Sequence, residues 1–297
     1  MTKEEDELKK MTLTVQNPNK MRFYIAGEGI VTIDWGDDTL NETFTLSHID
    51  NEDWFRAISH HGYSHVYNTF GFSHIITITG GKITHLRCDE VKLISLDVSN
   101  NTELEYLQCD ENQLTSLDVS KITKLKFLSC SKNQLTNLDI SNNIALSYLN
   151  CIGNRLTSLV SKNPALAYLH CDENQLKDLD VSNNIALKYL NCKYNQLTSL
   201  DISNNIALKE LTCDNNQLTN LEMLTNNKLN VLSCSNNQIV NLDLSKNIKL
   251  KMLDCSNNQL KSLNASKYFN ELKSFKVNGN VTLKEIYCEG VYAGSLE

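Results

Sequence analysis

The sequence predicts a mainly β chain: a solenoid of short repeats, with a parallel sheet on its concave side and little helix on its convex side, capped by a small N-terminal β-sandwich. Three observations carry this expectation. Nine of the ten cysteines, at 88, 109, 130, 151, 171, 192, 213, 234 and 255, lie 21 residues apart with one step of 20. A fixed apolar pattern recurs in phase with them. Before residue 82 both signals are absent, and short alternating segments are separated by turn residues instead. The predicted organisation is an acidic disordered tail over 1–10, a β-sandwich cap over 11–81, a solenoid of about ten repeats over 82–292 and a tail over 293–297.

Composition bounds the function. A chain of 297 residues suits one or two domains. Its 41% apolar and 21% charged residues are those of a globular protein. A formal net charge of −7 provides no electrostatic reason to bind nucleic acid or an anionic membrane. No apolar run is long enough for a membrane-spanning helix. Residues 2–10 are charged rather than an apolar signal core, and Gly294-Ser295-Leu296-Glu297 reads as a cloning remnant. Together these point either to a cytosolic protein or to a trimmed chain whose signal has been removed, and the second is preferred.

In the cap, strands are expected at Thr12–Gln16, Met21–Ala26, Ile30–Trp35, Glu42–Leu46 and Ser73–Thr79. Breaks are expected at Asn17-Pro18-Asn19, Gly27-Glu28-Gly29 and Gly36-Asp37-Asp38. Trp54, Phe55 and Ile58 have the spacing of a helical turn or two. The segment Ile33–Asp38 resembles the W-x-F-G-D-G turn of small immunoglobulin-like sandwiches, the PKD domains. His65-Val66-Tyr67, followed by Gly71 and Ile75–Thr79, resembles a later segment of the same domains. That resemblance implies the sandwich. His48, His60, His61, His65, His74 and His85 are loosely clustered with Asp34, Asp37 and Asp38, but no metal-ligand spacing is present, so they read as loop and turn residues.

The repeat itself is explicit. Residues 104–119 read LEYLQCDENQLTSLDV, and L-x-x-L-x-C-x-x-N-x-L returns at Leu125, Leu146, Leu166, Leu187, Leu208, Leu229 and Leu250. This is the leucine-rich-repeat signature with cysteine in one leucine slot. A first copy starts at Ile83, with Val91 in the asparagine slot, and a looser tenth fits Leu272, Phe275, Val277 and Asn280. Alternation around Leu107 and Cys109 is that of a short strand. Leu104, Leu107, Cys109, Leu114 and Leu117 are expected to fill the core, with each cysteine acting as a small buried hydrophobe rather than a disulfide or metal ligand. Asn112, Asn133, Asn154, Asn174, Asn195, Asn216, Asn237 and Asn258 are expected to form a buried amide ladder. Asp97, Asp118, Asp139, Asp180, Asp201 and Asp243 recur after the last leucine and read as a turn ladder, with calcium as the competing reading. A 21-residue unit leaves room only for extended or 3₁₀ structure on the convex side. The 20-residue repeat near Val160, Ser161 and Pro164 lacks this aspartate and is expected to pinch the convex side.

These repeats resemble those of bacterial cell-surface proteins, the internalins broadly, and in particular the cysteine-bearing short repeats of gut-commensal surface proteins. The resemblance covers about residues 82–288. It implies an extracellular or cell-surface, non-enzymatic binding role, often adhesion to a host protein or another microbe. Lys3-Glu4-Glu5-Asp6-Glu7 resembles the acidic export tag of surface lipoproteins, which implies lipid anchoring in a parent protein; a solvated tail is the other reading.

Function is expected on the concave face. The residue before the second leucine is His85, Tyr106, Phe127, Tyr148, Tyr168 and Tyr189 in six successive repeats, then Glu210, Val231 and Met252. At strand spacing six stacked rings make a stripe on the order of 24 Å long. Exposed aromatic patches mark partners, and an architectural device would not stop at Tyr189; cross-strand stabilisation is the competing reading. Gln108, Asn150, His170 and Asn191 occupy the next outward slot, with Asp110 and Asp172 beside them; Asp89, Glu90, Glu111, Glu173 and Asp214 complete an acidic rim. Rings flanked by amides and carboxylates suit a protein with a basic, apolar patch, or a glycan. No G-x-S-x-G, phosphate loop or metal-ligand spacing supports an enzyme, and no cofactor is expected. The expected protein is a monomer.

Overall fold

A computed structural model describes residues 9–49, 62–68, 71–265, 272–288 and 291–295. Lys3–Glu7, the expected helical turn with Trp54, Phe55 and Ile58, and His60 and His61 lie outside the described residues. The chain folds as two compact units, residues 1–146 and 147–297.

The first unit contains β1 (Lys10–Gln16), β2 (Lys20–Asp34), β3 (Glu42–Thr45), β4 (Gly62–Val66), β5 (Ser73–Arg87), β6 (Leu93–Asp97), β7 (Tyr106–Gln108), β8 (Phe127–Ser129) and β9 (Asn137–Asp139). β1 lies antiparallel between β5 and β6, and β2 pairs antiparallel with β3, β4 and β5. The C-terminal end of β5 pairs in parallel with β7, and β7 with β8. No distinct sandwich cap is set apart from the repeats: the described N-terminal strands are joined in one hydrogen-bonded sheet. The cause is the length of two strands. β2 and β5 are 15 residues each. Gly27-Glu28-Gly29, expected as a turn, is an irregularity within β2 where its register with β5 shifts. Residues 81 and 82, the expected domain boundary, lie inside β5, so the same strand serves the N-terminal sheet and opens the repeats.

The aromatic core of this unit gathers around Trp35, which is 1% exposed and stacks on His65 with centroids 5.0 Å apart. The two segments singled out in sequence meet here: Tyr67 Oη donates to the Trp35 carbonyl at 3.0 Å, and His65 Nε2 lies 2.7 Å from Asp37 Oδ2.

The second unit contains β10 (Tyr148–Asn150), β11 (Ser158–Val160), β12 (Tyr168–His170), β13 (Tyr189–Asn191), β14 (Glu210–Thr212), β15 (Val231–Ser233), β16 (Asn241–Leu244), β17 (Met252–Asp254), β18 (Ser262–Ala265), β19 (Ser274–Lys276), β20 (Glu285–Cys288) and β21 (Val291–Ser295). β10, β12, β13, β14, β15, β17 and β19 form a parallel sheet in that order, one strand per repeat. A second sheet, β16-β18-β20-β21, forms on the return side, and it takes in residues 293–295 of the expected tail. No helix occurs among the described residues. The architecture is a leucine-rich-repeat-like parallel β-solenoid. Return segments are successive turns, as in Asn101 N–H to the Val98 carbonyl at 2.9 Å and Leu104 N–H to the Asn101 carbonyl at 3.0 Å.

The pattern positions form the core. Leu104, Leu107, Cys109 and Leu114 are fully buried, and Leu117 nearly so.

Candidate functional site

After β5, each strand of the ring slot is three residues long and is held at its C-terminal end by the asparagine slot. Asn133 Nδ2 donates to the Cys109 and Cys130 carbonyls at 3.0 and 3.1 Å, and its Oδ1 accepts the Leu114 N–H at 3.0 Å. Asn195, Asn216, Asn237 and Asn258 repeat this geometry, and Asn280 does so in the tenth copy. The preceding residue is left-handed: Glu90, Glu111, Lys132, Glu173, Tyr194, Asn215, Asn236 and Asn257 have φ between 50° and 55°, and Gly153 has 64°. Non-glycine residues rarely adopt this region, so sequence reading missed it. It turns the chain off the sheet beside the candidate site.

Each unit carries three rings of the ring slot. In the first unit His85 stacks on Tyr106 with centroids 4.6 Å apart, and Tyr106 on Phe127 at 5.7 Å. His85, expected to be solvent-facing, is instead buried at 2% exposure. Ala26 and Ile49 form a small cluster against which Tyr24 and Tyr106 pack, so the N-terminal segment covers this end of the face. Burial lowers the His85 pKa to about 4, with Glu105 opposing and His48 and Lys126 adding to the shift. In the second unit Tyr168 and Tyr189 stack with centroids 4.7 Å apart at 5°, and Tyr148 lies 6.0 Å from Tyr168. Tyr168 is exposed, and Tyr148 and Tyr189 are half-buried.

The flanking polar residues are mostly engaged within the protein. Gln108 Nε2 donates to Asp89 and Asp110 at 2.9 and 3.2 Å. Asp110 Oδ1 accepts the Ser129 hydroxyl, the Ser131 N–H and the Ser131 hydroxyl at 2.7, 2.7 and 2.8 Å. Asn150 and Asn191 accept the N–H two residues on, from Ile152 and Lys193, at 3.2 and 3.4 Å. His170 lies beside Tyr148 with centroids 5.7 Å apart, and burial lowers its pKa. Asp172, expected on an open rim, is 3% exposed, and burial raises its pKa.

The remaining candidates are structural. Nine cysteines, Cys88 to Cys255, are buried and free of disulfides. Desolvation pushes the thiols of Cys88, Cys109, Cys171, Cys213 and Cys234 well above their ordinary range, which removes thiolate chemistry. Cys88 and Cys109 donate weakly to the Gln108 and Ser129 carbonyls, both at 3.6 Å. Each aspartate of the turn ladder accepts the N–H of the serine two residues on, at 2.9 Å for Asp97, Asp118, Asp139, Asp180, Asp201 and Asp243. No group of three or more His, Cys, Asp or Glu residues is placed to hold a metal among the described residues.

Neither a protein-family model nor a curated protein sequence matches the chain. Solved structures do. The functional domain of InlJ from Listeria monocytogenes, which includes a cysteine ladder, is 31% identical over 70% of this chain and 57% of that one, with a TM-score of 0.54. The fold is internalin-like. YopM from Yersinia enterocolitica is 28% identical over 64% of this chain and 41% of that one, with a TM-score of 0.54. The leucine-rich-repeat domain of APL1B is 25% identical over 63% and 54%, with a TM-score of 0.50. The chain thus spans less than two thirds of each of these relatives. The internalin-like fold explains the cysteine spacing: one small thiol per repeat stacks on the next within a shared core.

Proposed function

We propose that the protein is a non-enzymatic bacterial cell-surface binding module that recognises a protein partner through the concave faces of its repeats, acting as a monomer in adhesion to a host or another microbe. The observation that carries this reading is the ring slot of the second unit, where exposed Tyr168 stacks on half-buried Tyr189 with centroids 4.7 Å apart on adjacent strands. Stacked tyrosines offer wide contact area at low entropy cost, the property that concentrates binding energy in interfaces. The internalin-like fold and the cysteine ladder shared with the InlJ domain support a surface role. The buried thiols and hydrogen-bonded turn aspartates support a non-catalytic one. The N-terminal PKD-like reading rests on the meeting of Trp35, Asp37, His65 and Tyr67.

A carbohydrate ligand on the same rings is the second reading, favoured by the amides of Asn150 and Asn191 beside Tyr148 and Tyr189, which suit sugar hydroxyls.

The test is an array of extracellular proteins and glycans, probed with the chain and with a Tyr148→Ala, Tyr168→Ala, Tyr189→Ala variant whose fold is checked by circular dichroism. Protein signals lost in the variant are expected. Glycan signals lost in the variant select the second reading, and signals unchanged by it remove both.

A further inference from the structure

The concave slot after the cysteine has a standard way of satisfying a carboxylate, and Asp172 departs from it. Asp110 accepts from Ser129 and Ser131, 19 and 21 positions on in the next repeat. Asp214 accepts from the equivalent Ser233 and Ser235, at 2.7 Å from the Ser233 hydroxyl and 2.8 and 2.6 Å from the Ser235 N–H and hydroxyl. For Asp172 the corresponding residues are Asn191 and Lys193. Neither takes the place of the serines as a hydrogen-bond donor to Oδ1: Asn191 Oδ1 accepts the Lys193 N–H at 3.4 Å, and the Lys193 ammonium lies over the Tyr194 ring, 5.8 Å from its centroid, from where it attracts the carboxylate only through space. Asp172 is 3% exposed, and its Oδ1 has no hydrogen-bond partner among the described residues. A buried carboxylate oxygen without a hydrogen-bond donor is a cost to the free protein. Such costs concentrate at functional sites.

The surroundings say what would offset it. Strand alternation puts Tyr168, His170 and Asp172 on the same side, with successive positions about 7 Å apart. His170 lies beside Tyr148, and Tyr168 stacks on Tyr189. Burial holds His170 toward its neutral form, so it supplies no fixed positive charge. A strip of rings thus leads to a carboxylate that Lys193 attracts through space but to which no side chain donates at Oδ1. A long aliphatic stem ending in a cation matches both parts.

We propose that Asp172 anchors a lysine or arginine side chain of a protein partner, whose stem lies against His170 and the Tyr168–Tyr189 pair. This rests on the reading that the concave face of residues 147–297 binds a protein, and it names the chemistry of the residue recognised. The carboxylate is buried in the free protein, and rotamer changes of surface side chains are fast enough to admit the ligand.

The experiment uses the full chain labelled for NMR and titrates acetyl-arginine amide, acetyl-lysine amide, uncharged acetyl-norleucine amide and N-acetylglucosamine. The two cationic amides are expected to shift His170, Tyr168 and the Asp172 carboxyl, with affinity falling about tenfold in Asp172→Asn, the effect of one charge-assisted hydrogen bond. Norleucine and the sugar are expected to leave these signals in place. Thermal unfolding supplies a second readout: Asp172→Asn is expected to raise the Tm, whereas Asp214→Asn, which breaks a satisfied carboxylate, lowers it. Failure of both cationic amides to shift these signals, equal binding in Asp172→Asn, an equal response to norleucine or the sugar, or a Tm lowered by Asp172→Asn would each overturn the proposal. On the array, a signal lost in the tyrosine variant but kept in Asp172→Asn leaves the protein-binding reading standing and removes the anchor. Amide binding that depends on Asp172, with array signals unchanged by the tyrosine variant, does the reverse.

Discussion

Asn195 makes four hydrogen bonds at once. Its Nδ2 donates to the carbonyls of Cys171, Cys192 and Lys193 at 3.0, 3.1 and 3.3 Å, and its Oδ1 accepts the Leu176 N–H at 2.9 Å. Truncation would strand backbone groups in a core that water does not reach. Asn195→Ala is therefore expected to cost about 3 kcal/mol in urea unfolding, whereas Asn204→Ala, at an exposed position, costs less than about 0.5 kcal/mol. A second ladder lies on the return side, where Asn205 is fully buried and donates to the Val181 and Asn184 carbonyls at 3.0 and 2.9 Å. Asn226 and Asn247 follow the same scheme. In the short repeat the Ser161 hydroxyl replaces a backbone carbonyl, accepting from Asn184 at 2.9 Å. From the sequence, the aspartates that open the Ser-Asn-Asn segments read as a turn ladder, and the asparagines that follow carried no separate signal. The period was visible, but turn propensity alone does not tell an exposed Asn204 from a buried Asn205.

At the scale of elements, β2 and β5 depend on a close approach at Gly27. This residue has φ +154°, and a Cβ there would lie 1.9 Å from the Lys82 carbonyl oxygen. Gly27→Ala forces the two strands apart where β5 turns from pairing with β1 to pairing with β7. It is expected to destabilise the protein by about 2–3 kcal/mol, measured by urea unfolding. The change in hydrogen exchange should concentrate in β2 and β5. The Gly27-Glu28-Gly29 cluster looked like a hairpin break because glycine pairs usually mark turns. Here the 15-residue β2 runs through it, since Val31–Asp34 continues the pairing with Gly80–Thr77 after the register shift.

For the whole molecule, acid stability is set by groups whose protonation differs between folded and unfolded chains. His85 has a folded pKa of about 4 against an ordinary 6.5, so the unfolded chain takes up the proton first. Its contribution is fully present above pH 6.5 and is lost as pH falls towards 4, a change of roughly 3 kcal/mol. Asp37 adds to the loss lower down. Desolvation opposes its ionisation, but hydrogen bonds from Thr39 and His65 outweigh this and hold its carboxyl below the ordinary 3.8. The urea midpoint is expected to fall between pH 6.5 and 4, and the fall in that window should largely vanish in His85→Gln.

The repeat, the short parallel strands, the buried cysteines and the Asn133-type ladder were all legible in the chain, because a residue that stacks on its own copy leaves a period in the sequence. The slots of Tyr106, Tyr148, Tyr168 and Tyr189 were legible for the same reason. Their surroundings were not. His85 reads like any other ring of its slot, yet Ala26 and Ile49, far away in sequence, help to cover that end of the face. Asp110, Asp172 and Asp214 read alike, yet two are satisfied by serines of the next repeat and one is not. The single sheet formed by the N-terminal strands was likewise hidden, because β5 pairs with β1 at one end and with β7 at the other. Period is a property of one chain position repeated. Burial, charge balance and strand pairing depend on which distant residues arrive beside it, and folding alone brings those residues together.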